Sequence, residues 1–297
     1  MSNNIFFELN SYHDEVLYGL VGELGGEGDC VIVNPNLTQS DLIEDLKSTY
    51  DVRLSKSFLH VLSILIKNRR SSKNAIFNTL ETPKALFYYV CCFFLGYNLS
   101  FVSHNFDTFL DFGGTVKLKK KIFRNIFGNF IIKSSYKIYV LSPGVKAWLL
   151  NDEYISRGCL VGKLELLSCK NLLNFIADGL DFERKEQNYY VVVGSVDYSK
   201  RNYESIIDFV KGKSVKVRIL GDINRLNGIE FIEEVRALGI EDKFVFHDGR
   251  LSYKDMLTQA FYSKGILMST NRGEYGKVKV SASEVFSLGL NIECVEV

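Results

Sequence analysis

Two basic residues and a glycine follow a strongly apolar run in the second half of the chain. The run spans Tyr189 to Val193 and leads into Gly194, and Lys200 and Arg201 come just before an apolar-patterned segment. This order predicts a buried strand, a glycine turn and a helix. A glycine lets the backbone approach a ligand, a helix N-terminus favours an anion, and two cations can stabilise a departing diphosphate without a metal. The alternative is an ordinary strand–helix unit with no ligand.

The segments that follow repeat this alternation to the end of the chain. Further strands are predicted at 215–222, 243–249, 265–270 and 291–297, and helices at 229–239, at 253–264 and from Ser281. Strands that alternate with helices over short loops predict a parallel, doubly wound sheet. Ligands of such sheets lie at the carboxyl ends of the strands, where Gly221, Asp222 and His247 fall.

The order of short motifs in this half resembles a known family. Gly194 with a basic residue six or seven positions on is followed by ILGD, DKFVFHDGRLSYKDM, ST, E-x-G and SEVFSLGLN. This series is similar to the nucleotide-sugar-binding domain of GT-B glycosyltransferases, nearest to the large retaining family four. The resemblance covers most of Tyr189 to Val297. It implies a GT-B fold, in which two Rossmann-like parallel-sheet domains face a cleft, with a short C-terminal domain here.

The resemblance assigns roles to residues near the last predicted helix. Glu284 falls where the family's second glutamate binds the nucleotide ribose, and a carboxylate can accept from two vicinal hydroxyls at once. The alternative for Glu284 is a first-turn carboxylate that pairs with the helix dipole. Ser281 and Ser283 lie at the same helix start and could bind phosphate or cap the helix.

Two positions depart from the family pattern. Ser195 stands where the family usually has an arginine, which leaves one phosphate contact unassigned. Glu274 matches the family's first glutamate in type, but its distance to Glu284 is two residues longer than the family spacing. Lys279 lies in the extra stretch and is a candidate for the missing cation.

The first half also alternates between strands and helices, and it resembles the family in element order only. The resemblance implies that its strand-end loops carry the acceptor side, which points to Thr79, Glu81, Asn105 and Asp107. His104 ends a strand there, and a histidine can act as a general base on an acceptor hydroxyl. The alternative is a structural histidine. Glu81 and Asp107 are other candidate bases.

Composition and charge narrow the class of protein. A net charge of +1 argues against a surface built for nucleic acid, and no aromatic-basic RNA motif is present. The six cysteines form no CxxC pair, so we expect reduced core residues of a cytoplasmic protein. The four histidines have no metal-ligand spacing. The polar N-terminus indicates no signal peptide, and the most apolar run, Ala85 to Leu95, is too short to span a bilayer.

Residues 117–137 mix lysines with phenylalanine and isoleucine. Apolar residues from Ile122 to Phe130 fall on one broad helical face. One interpretation is an interfacial helix that contacts a membrane and a lipid-linked acceptor. The other is a core helix with a basic rim.

The charged stretch from Asp181 to Asn188 is a plausible linker. It divides the chain into an acceptor-side domain, 1–183, and a nucleotide-sugar-binding domain, 184–297. GT-B chains usually continue past the last predicted strand, so the second domain is expected to be a minimal form, a truncated one or one completed by another chain.

Together these observations predict a metal-independent glycosyltransferase with a nucleotide-sugar substrate and no cofactor. The acceptor is expected to be a glycan or lipid-linked molecule in bacterial surface polysaccharide synthesis, at the inner face of the cell membrane. Retaining and inverting chemistry stay open. One alternative is a nucleotide-sugar epimerase of the same fold. Another is a degenerate GT-B partner or scaffold, which Ser195, the glutamate spacing and the early C-terminus favour.

Overall fold

The computed structural model describes residues 3–106, 109, 124–151, 160, 162–181, 188–270 and 280–297. The described chain forms two compact units. The first holds the described residues up to Cys169 together with Val280, and the second holds those from Lys170 to Thr270 and from Ser281 to Val297. The predicted linker falls largely on 182–187, outside the described residues, so the domain boundary at 183 stays a prediction.

The first unit contains a seven-stranded parallel sheet. Its order is β3-β2-β1-β4-β5-β6-β7, so the direction of winding reverses between β1 and β4. The carboxyl ends of all seven strands meet at one edge of the sheet because every pair is parallel. The strands are β1 (Asn3–Glu8), β2 (Cys30–Val33), β3 (Asp51–Leu54), β4 (Ser72–Phe77), β5 (Asn98–Ser103), β6 (Ser135–Val140) and β7 (Leu164–Leu166).

Helices join these strands and bury their apolar faces on the sheet. They are α1 (Asp14–Leu24), α2 (Asp41–Thr49), α3 (Phe58–Asn68), α4 (Pro83–Phe94), α5 (Asn129–Ser134) and α6 (Pro143–Asn151). Ser57 caps α3 by accepting from His60 N, and Thr82 caps α4 by accepting from Ala85 N. One apolar core unites α3, α4, α5 and α6 with alternate residues of the strands, including Phe7, Phe77 and Phe101.

The basic segment 117–137 is not one continuous helix where the structure describes it. A π-helical turn, Arg124–Gly128, leads into α5, and strand β6 begins at Ser135. Ile131 and Ile132 are buried in the core, whereas the side chain of Ile126 is 61% exposed. Residues 117–123 lie outside the described part.

The second unit contains a five-stranded parallel sheet of order β10-β9-β8-β11-β12. Its winding reverses between β8 and β11, which are paired neighbours. Its strands are β8 (Tyr189–Val192), β9 (Lys216–Asp222), β10 (Phe244–His247), β11 (Ile266–Met268) and β12 (Cys294–Glu296), and its helices are α7 (Asn171–Ala177), α8 (Tyr203–Val210), α9 (Gly228–Ala237), α10 (Tyr253–Phe261) and α11 (Ala282–Leu290). The predicted fold of two parallel-sheet α/β domains is confirmed.

Within the described ranges, no helix has the length and apolar character that a bilayer crossing requires.

Candidate functional site

Two glycines bring the ends of β8 and β9 into backbone contact. Gly194 has a φ of 94°, which favours glycine. Gly221 packs directly on it, because a Cβ on Gly221 would lie only 2.3 Å from Gly194 C and 2.4 Å from Ser195 N. Both glycines therefore serve a close approach of two strand-end loops. The predicted donor-binding residues Gly194, Ser195 and Gly221 lie together at this edge.

Arg201 is held against the end of β8. Its Nη2 donates a hydrogen bond to Val193 O, and the same atom lies 3.7 Å from the position of a Cβ on Gly194. The backbone N–H of Arg201 donates to Asp197 O at 3.0 Å. The guanidinium is thus placed at the glycine turn by the loop that precedes α8.

Lys200 is the more exposed of the two cations, because 59% of its side chain is accessible whereas Arg201 is partly buried. Its Nζ lies 3.1 Å from Asp197 Oδ2. The pKa of Asp197 is lowered, first by its hydrogen bond from Ser199 and then by Lys200, although burial opposes this. A diphosphate at this position would compete with Asp197 for the lysine.

A hydroxyl network links the start of α8 to the end of β11. Ser269 is 1% exposed, and its Oγ donates to Asn202 O at 2.6 Å. Ser205 Oγ lies 2.7 Å from Ser269 Oγ. The loops after β8 and β11 are therefore fastened together at the point where the winding of the sheet reverses. In open α/β sheets, ligands bind at such reversal points.

Glu284 and Ser281 form a capping box at the start of α11. Glu284 N donates to Ser281 Oγ at 3.2 Å, and Ser281 N donates to Glu284 Oε2 at 2.8 Å. Glu284 is partly buried and Ser283 is buried beside it. Glu284 therefore has a structural role in the first turn of α11, and its Oε2 atom carries that role. This bond does not occupy the second carboxylate oxygen.

Asp222 and His247 lie farther along the same carboxyl edge. Asp222 Oδ1 accepts from Asn224 N at 3.0 Å, so this carboxylate shapes the turn after β9. His247 ends β10, the outer strand, and burial lowers its pKa. Both residues are two strands or fewer from β8, but neither contacts the ends of β8 and β11 as Arg201 does at Val193 and Ser281 does at Met268.

A cavity of about 300 Å³ lies at the opposite, amino-terminal edge of this sheet. It is lined by residues that precede β8, β9 and β10, including Asn188, Lys213 and Lys243. None of the predicted site residues lines it.

The first unit has its own polar cluster at the reversal point between β1 and β4. Glu8 is fully buried at the end of β1. Its carboxylate accepts from Asn10 N at 2.7 Å, from Thr79 Oγ1 at 2.8 Å and from Asn78 Nδ2. Burial raises the pKa of Glu8 to about 7, although these hydrogen bonds oppose the rise. The predicted acceptor-side residue Thr79 therefore contacts a buried carboxyl group.

Two stacked histidines adjoin this carboxyl group. The rings of His13 and His104 have centroids 4.1 Å apart. His104 Nε2 lies 2.8 Å from Asn78 O. Because a carbonyl only accepts, Nε2 carries the proton and Nδ1 bears the lone pair of the neutral ring. Burial and the neighbouring charge of His13 lower the pKa of His104 to about 3.

His13 is the more basic member of the pair. It adopts a left-handed conformation, with a φ of 72°, just before α1. Burial opposes its charge, but the neighbouring carboxylate of Glu15 raises its pKa overall. His13 Nδ1 lies 3.7 Å from Glu15 Oε1. Glu81, which is exposed, also acts on His13 through its charge.

Three buried polar atoms at this edge have no hydrogen-bond partner within the described chain. They are Asn10 Nδ2, Asn78 Oδ1 and Ser103 Oγ, at the carboxyl ends of β1, β4 and β5. Buried polar atoms are nearly always paired. One donor, one acceptor and one hydroxyl are thus available to a polar ligand at the first unit's reversal point.

Sequence reasoning missed Glu8, His13, Glu15 and Asn78. Glu8 lies at the end of a strand that is predicted from its apolar residues alone. Its hydrogen-bond partners Asn78 and Thr79 are 70 and 71 positions away in the sequence, so no local pattern links them to Glu8. Of the remaining predicted residues, Asn105 is partly buried after β5, and Asp107, Glu274 and Lys279 lie outside the described residues.

The described residues include no group of three or more His, Cys, Asp or Glu side chains arranged to hold a metal ion. The five cysteines that they include are free thiols.

No protein-family model matches the sequence, and a search of curated proteins finds no match either. Solved structures match in fold. Anabaena HepE in complex with UDP-glucose has a TM-score of 0.60 at 11% identity, over 100% of this chain and 80% of that one. The lipopolysaccharide outer core galactosyltransferase WaaB has 0.55 at 13%, over 100% and 80%. A UDP-GlcNAc 2-epimerase from Methanocaldococcus jannaschii has 0.55 at 12%, over 100% and 83%. These likenesses establish that the chain has the GT-B fold.

Proposed function

We propose that this chain is a glycosyltransferase that uses a nucleotide-sugar donor. The supporting observation is the reversal point of the second sheet, where a glycine–glycine backbone contact, Arg201 and the start of α11 adjoin neighbouring strands. The fold is shared with a protein solved with UDP-glucose and with a galactosyltransferase. Both the local chemistry and the fold suit a nucleoside diphosphate.

The donor roles follow from charge and hydrogen-bonding capacity. Arg201 and Lys200 neutralise the diphosphate, and the N-terminus of α11 at Ser281 supplies N–H donors. Glu284 keeps one carboxylate oxygen for ribose hydroxyls while the other holds the capping box. Gly194 and Gly221 let the backbone approach the phosphates. Ser195, Asp222, His247, Lys279 and Ser283 remain further candidate donor contacts in this proposal, and Glu274 remains a candidate catalytic residue.

The first unit supplies the groups that act on the acceptor. We assign to the His13–His104 pair the removal of the proton from the acceptor hydroxyl. His13 is the stronger base of the two because Glu15 stabilises its charged form. His104 stays neutral and positions the pair through Asn78. Thr79, Glu81, Asn105 and Asp107 remain the candidate acceptor contacts. A base of this kind serves an inverting transfer, whereas a retaining transfer does not require one.

The cations provide the charge stabilisation that a metal would otherwise supply, so the proposed reaction is metal-independent and needs no cofactor. The surface-polysaccharide role and the cytoplasmic location at the inner face of the membrane remain part of the proposal.

Calorimetry with UDP, ADP and GDP, followed by UDP-sugars, tests the donor site. We expect one nucleoside diphosphate to bind, and Lys200→Gln to weaken it by about tenfold, because a charge-assisted phosphate contact is lost. Lys211→Gln is the matched control, since Lys211 also lies 3.1 Å from an aspartate three residues earlier. Absence of binding by every nucleotide would refute the proposal, and so would equal effects of the two variants.

An epimerase is the second candidate, because one structure of the same fold is a UDP-GlcNAc 2-epimerase. Release of an epimerised sugar from donor alone would select it. Tight nucleotide binding without turnover on any acceptor would instead favour a degenerate partner protein.

A further inference from the structure

Charge is distributed very unevenly along the first unit. Residues 52–151 contain fifteen lysines and arginines but only three acidic residues, although the whole chain has a net charge of +1. Between 52 and 106 the only acidic residue is Glu81, against seven basic ones. This stretch includes α3 and α4. The segment of the sequence that contains these two helices therefore carries a strongly positive net charge.

The same two helices expose large apolar side chains. On α3, Leu59 is 74% exposed and Ile66 is 57% exposed. On α4, Phe87 is 50% exposed and Phe94 is 80% exposed. Single exposed apolar residues are ordinary, but several on adjacent elements mark an interaction surface.

Ring contacts join part of this exposed set across neighbouring helices. Phe58 of α3 meets Phe87 of α4 edge to face, with ring centroids 4.9 Å apart. Phe93 contacts Phe94 at 5.6 Å and Phe130 of α5 at 5.2 Å. We call Phe58, Leu59, Ile66, Phe87, Phe93 and Phe94 the aromatic face.

The aromatic face is not needed to fill the core. The inner side of α4 already supplies Ala85, Tyr88, Tyr89 and Cys92, and the inner side of α3 supplies Val61, Ile64 and Leu65. Each helix is therefore apolar on two sides. A helix that only covers a sheet has a polar outer side.

Exposed cations border the aromatic face. Lys56 precedes α3, Lys67 is in its last turn, and Arg69 and Arg70 follow it. Arg69 Nη2 comes within 3.8 Å of the position of a Cβ on Gly96, so it lies just beyond the end of α4. Across the described residues, no acidic side chain lies within ion-pair distance of these four cations.

We propose that the aromatic face binds an anionic lipid bilayer. Phenylalanine and leucine side chains enter the boundary between headgroups and acyl chains, while the bordering cations pair with lipid phosphates. A second copy of this face is a poor partner, because two positive surfaces repel. Nucleic acid would leave Leu59 and Ile66 without a partner. The proposal is independent of the nucleotide site and can be tested without any sugar donor.

Flotation with vesicles measures the interaction directly on the full chain. We expect binding to phosphatidylcholine vesicles that contain phosphatidylglycerol, much weaker binding to phosphatidylcholine alone, and loss of binding as salt rises. The double variant Leu59→Ser/Phe94→Ser should lower the apparent affinity by about tenfold or more. The charge variant Lys67→Glu/Arg70→Glu should do the same.

Matched variants in the second unit distinguish binding through the aromatic face from nonspecific binding to vesicles. Ile229→Ser removes an apolar side chain of α9 that is 52% exposed, and Lys211→Glu reverses an exposed lysine. Both should bind vesicles as the unaltered chain does, and all four variants should keep its melting temperature. The proposal fails if the unaltered chain does not bind anionic vesicles or if Leu59→Ser/Phe94→Ser binds them equally well. It also fails if ultracentrifugation shows a dimer that Leu59→Ser/Phe94→Ser dissociates.

Discussion

His13 and His104 stack their imidazole rings with centroids 4.1 Å apart and planes 28° apart. Two cationic rings in this position would repel each other, so the pair carries at most one positive charge near neutral pH. Glu15 stabilises that charge on His13, and burial keeps His104 neutral. The two stacked rings therefore differ in basicity, and His13 is the one that gains the charge.

The first prediction concerns the titration of this pair. Carbon-labelled histidine NMR should show that His104 has a pKa of about 3, whereas the pKa of His13 should lie above that of an ordinary histidine side chain. Glu15→Gln should lower the pKa of His13, because the carboxylate that stabilises its charged form is removed. Titration of His104 near the value of free imidazole would contradict this arrangement.

The second prediction concerns Glu8 and the stability of the fold. Because the pKa of Glu8 rises from 4.5 to about 7 on folding, the folded state holds a proton that the unfolded state has lost between these values. The free energy of unfolding should therefore fall as pH rises through this window, by up to about 3 kcal/mol. Glu8→Gln should remove that contribution.

Urea unfolding of both proteins at a series of pH values checks this point. His13 and His104 contribute to the pH dependence of both the unaltered chain and Glu8→Gln, so subtracting the two free energies of unfolding removes their contribution to first order. The remaining difference should change between about pH 4.5 and 7 and stay constant above pH 7. A difference that does not vary with pH would show that Glu8 ionises normally.

The third prediction concerns the backbone contact between β8 and β9. Gly221→Ala places a Cβ 2.3 Å from Gly194 C, so the loop after β8 must move. We expect a loss of about 1–3 kcal/mol in the free energy of unfolding, together with loss of nucleotide binding. Gly26→Ala is the control, because no heavy atom lies within 4 Å of its added Cβ. Wild-type nucleotide affinity in Gly221→Ala would show that this turn does not touch the ligand.

The fourth prediction separates the two roles of Glu284. Glu284→Gln keeps an oxygen that can accept from Ser281 N, so the capping box and the melting temperature should be retained. Loss of the charge should weaken nucleotide binding by about tenfold, as measured by calorimetry. Glu230→Gln is the control, because Glu230 accepts from Asn227 Nδ2 at the start of α9. Similar affinities for the two variants would leave Glu284 with only a helix-capping role.

Much of the second unit could be predicted because its signals are local. The apolar run at β8 and the serine and glutamate at the start of α11 are each read within a few residues, and the structure places each of these elements where it was expected. The strands β3 and β7 were not predicted, because they are only four and three residues long and mostly half-exposed. Short strands of this kind lack the periodic pattern that sequence reasoning needs.

The sequence by itself determined the alternation of strands and helices, and therefore a parallel sheet in each half of the chain. It did not determine which phenylalanines are exposed: the apolar pattern of α4 predicts a buried helix, whereas Phe87 is 50% and Phe94 is 80% exposed. Only the tertiary structure decided that Glu8 is buried beside Asn78 and Thr79, that His13 stacks on His104, and that Gly221 touches Gly194. The reason is physical: burial and pKa depend on neighbours that parallel strand pairing brings from distant parts of the chain, and no local pattern records those neighbours.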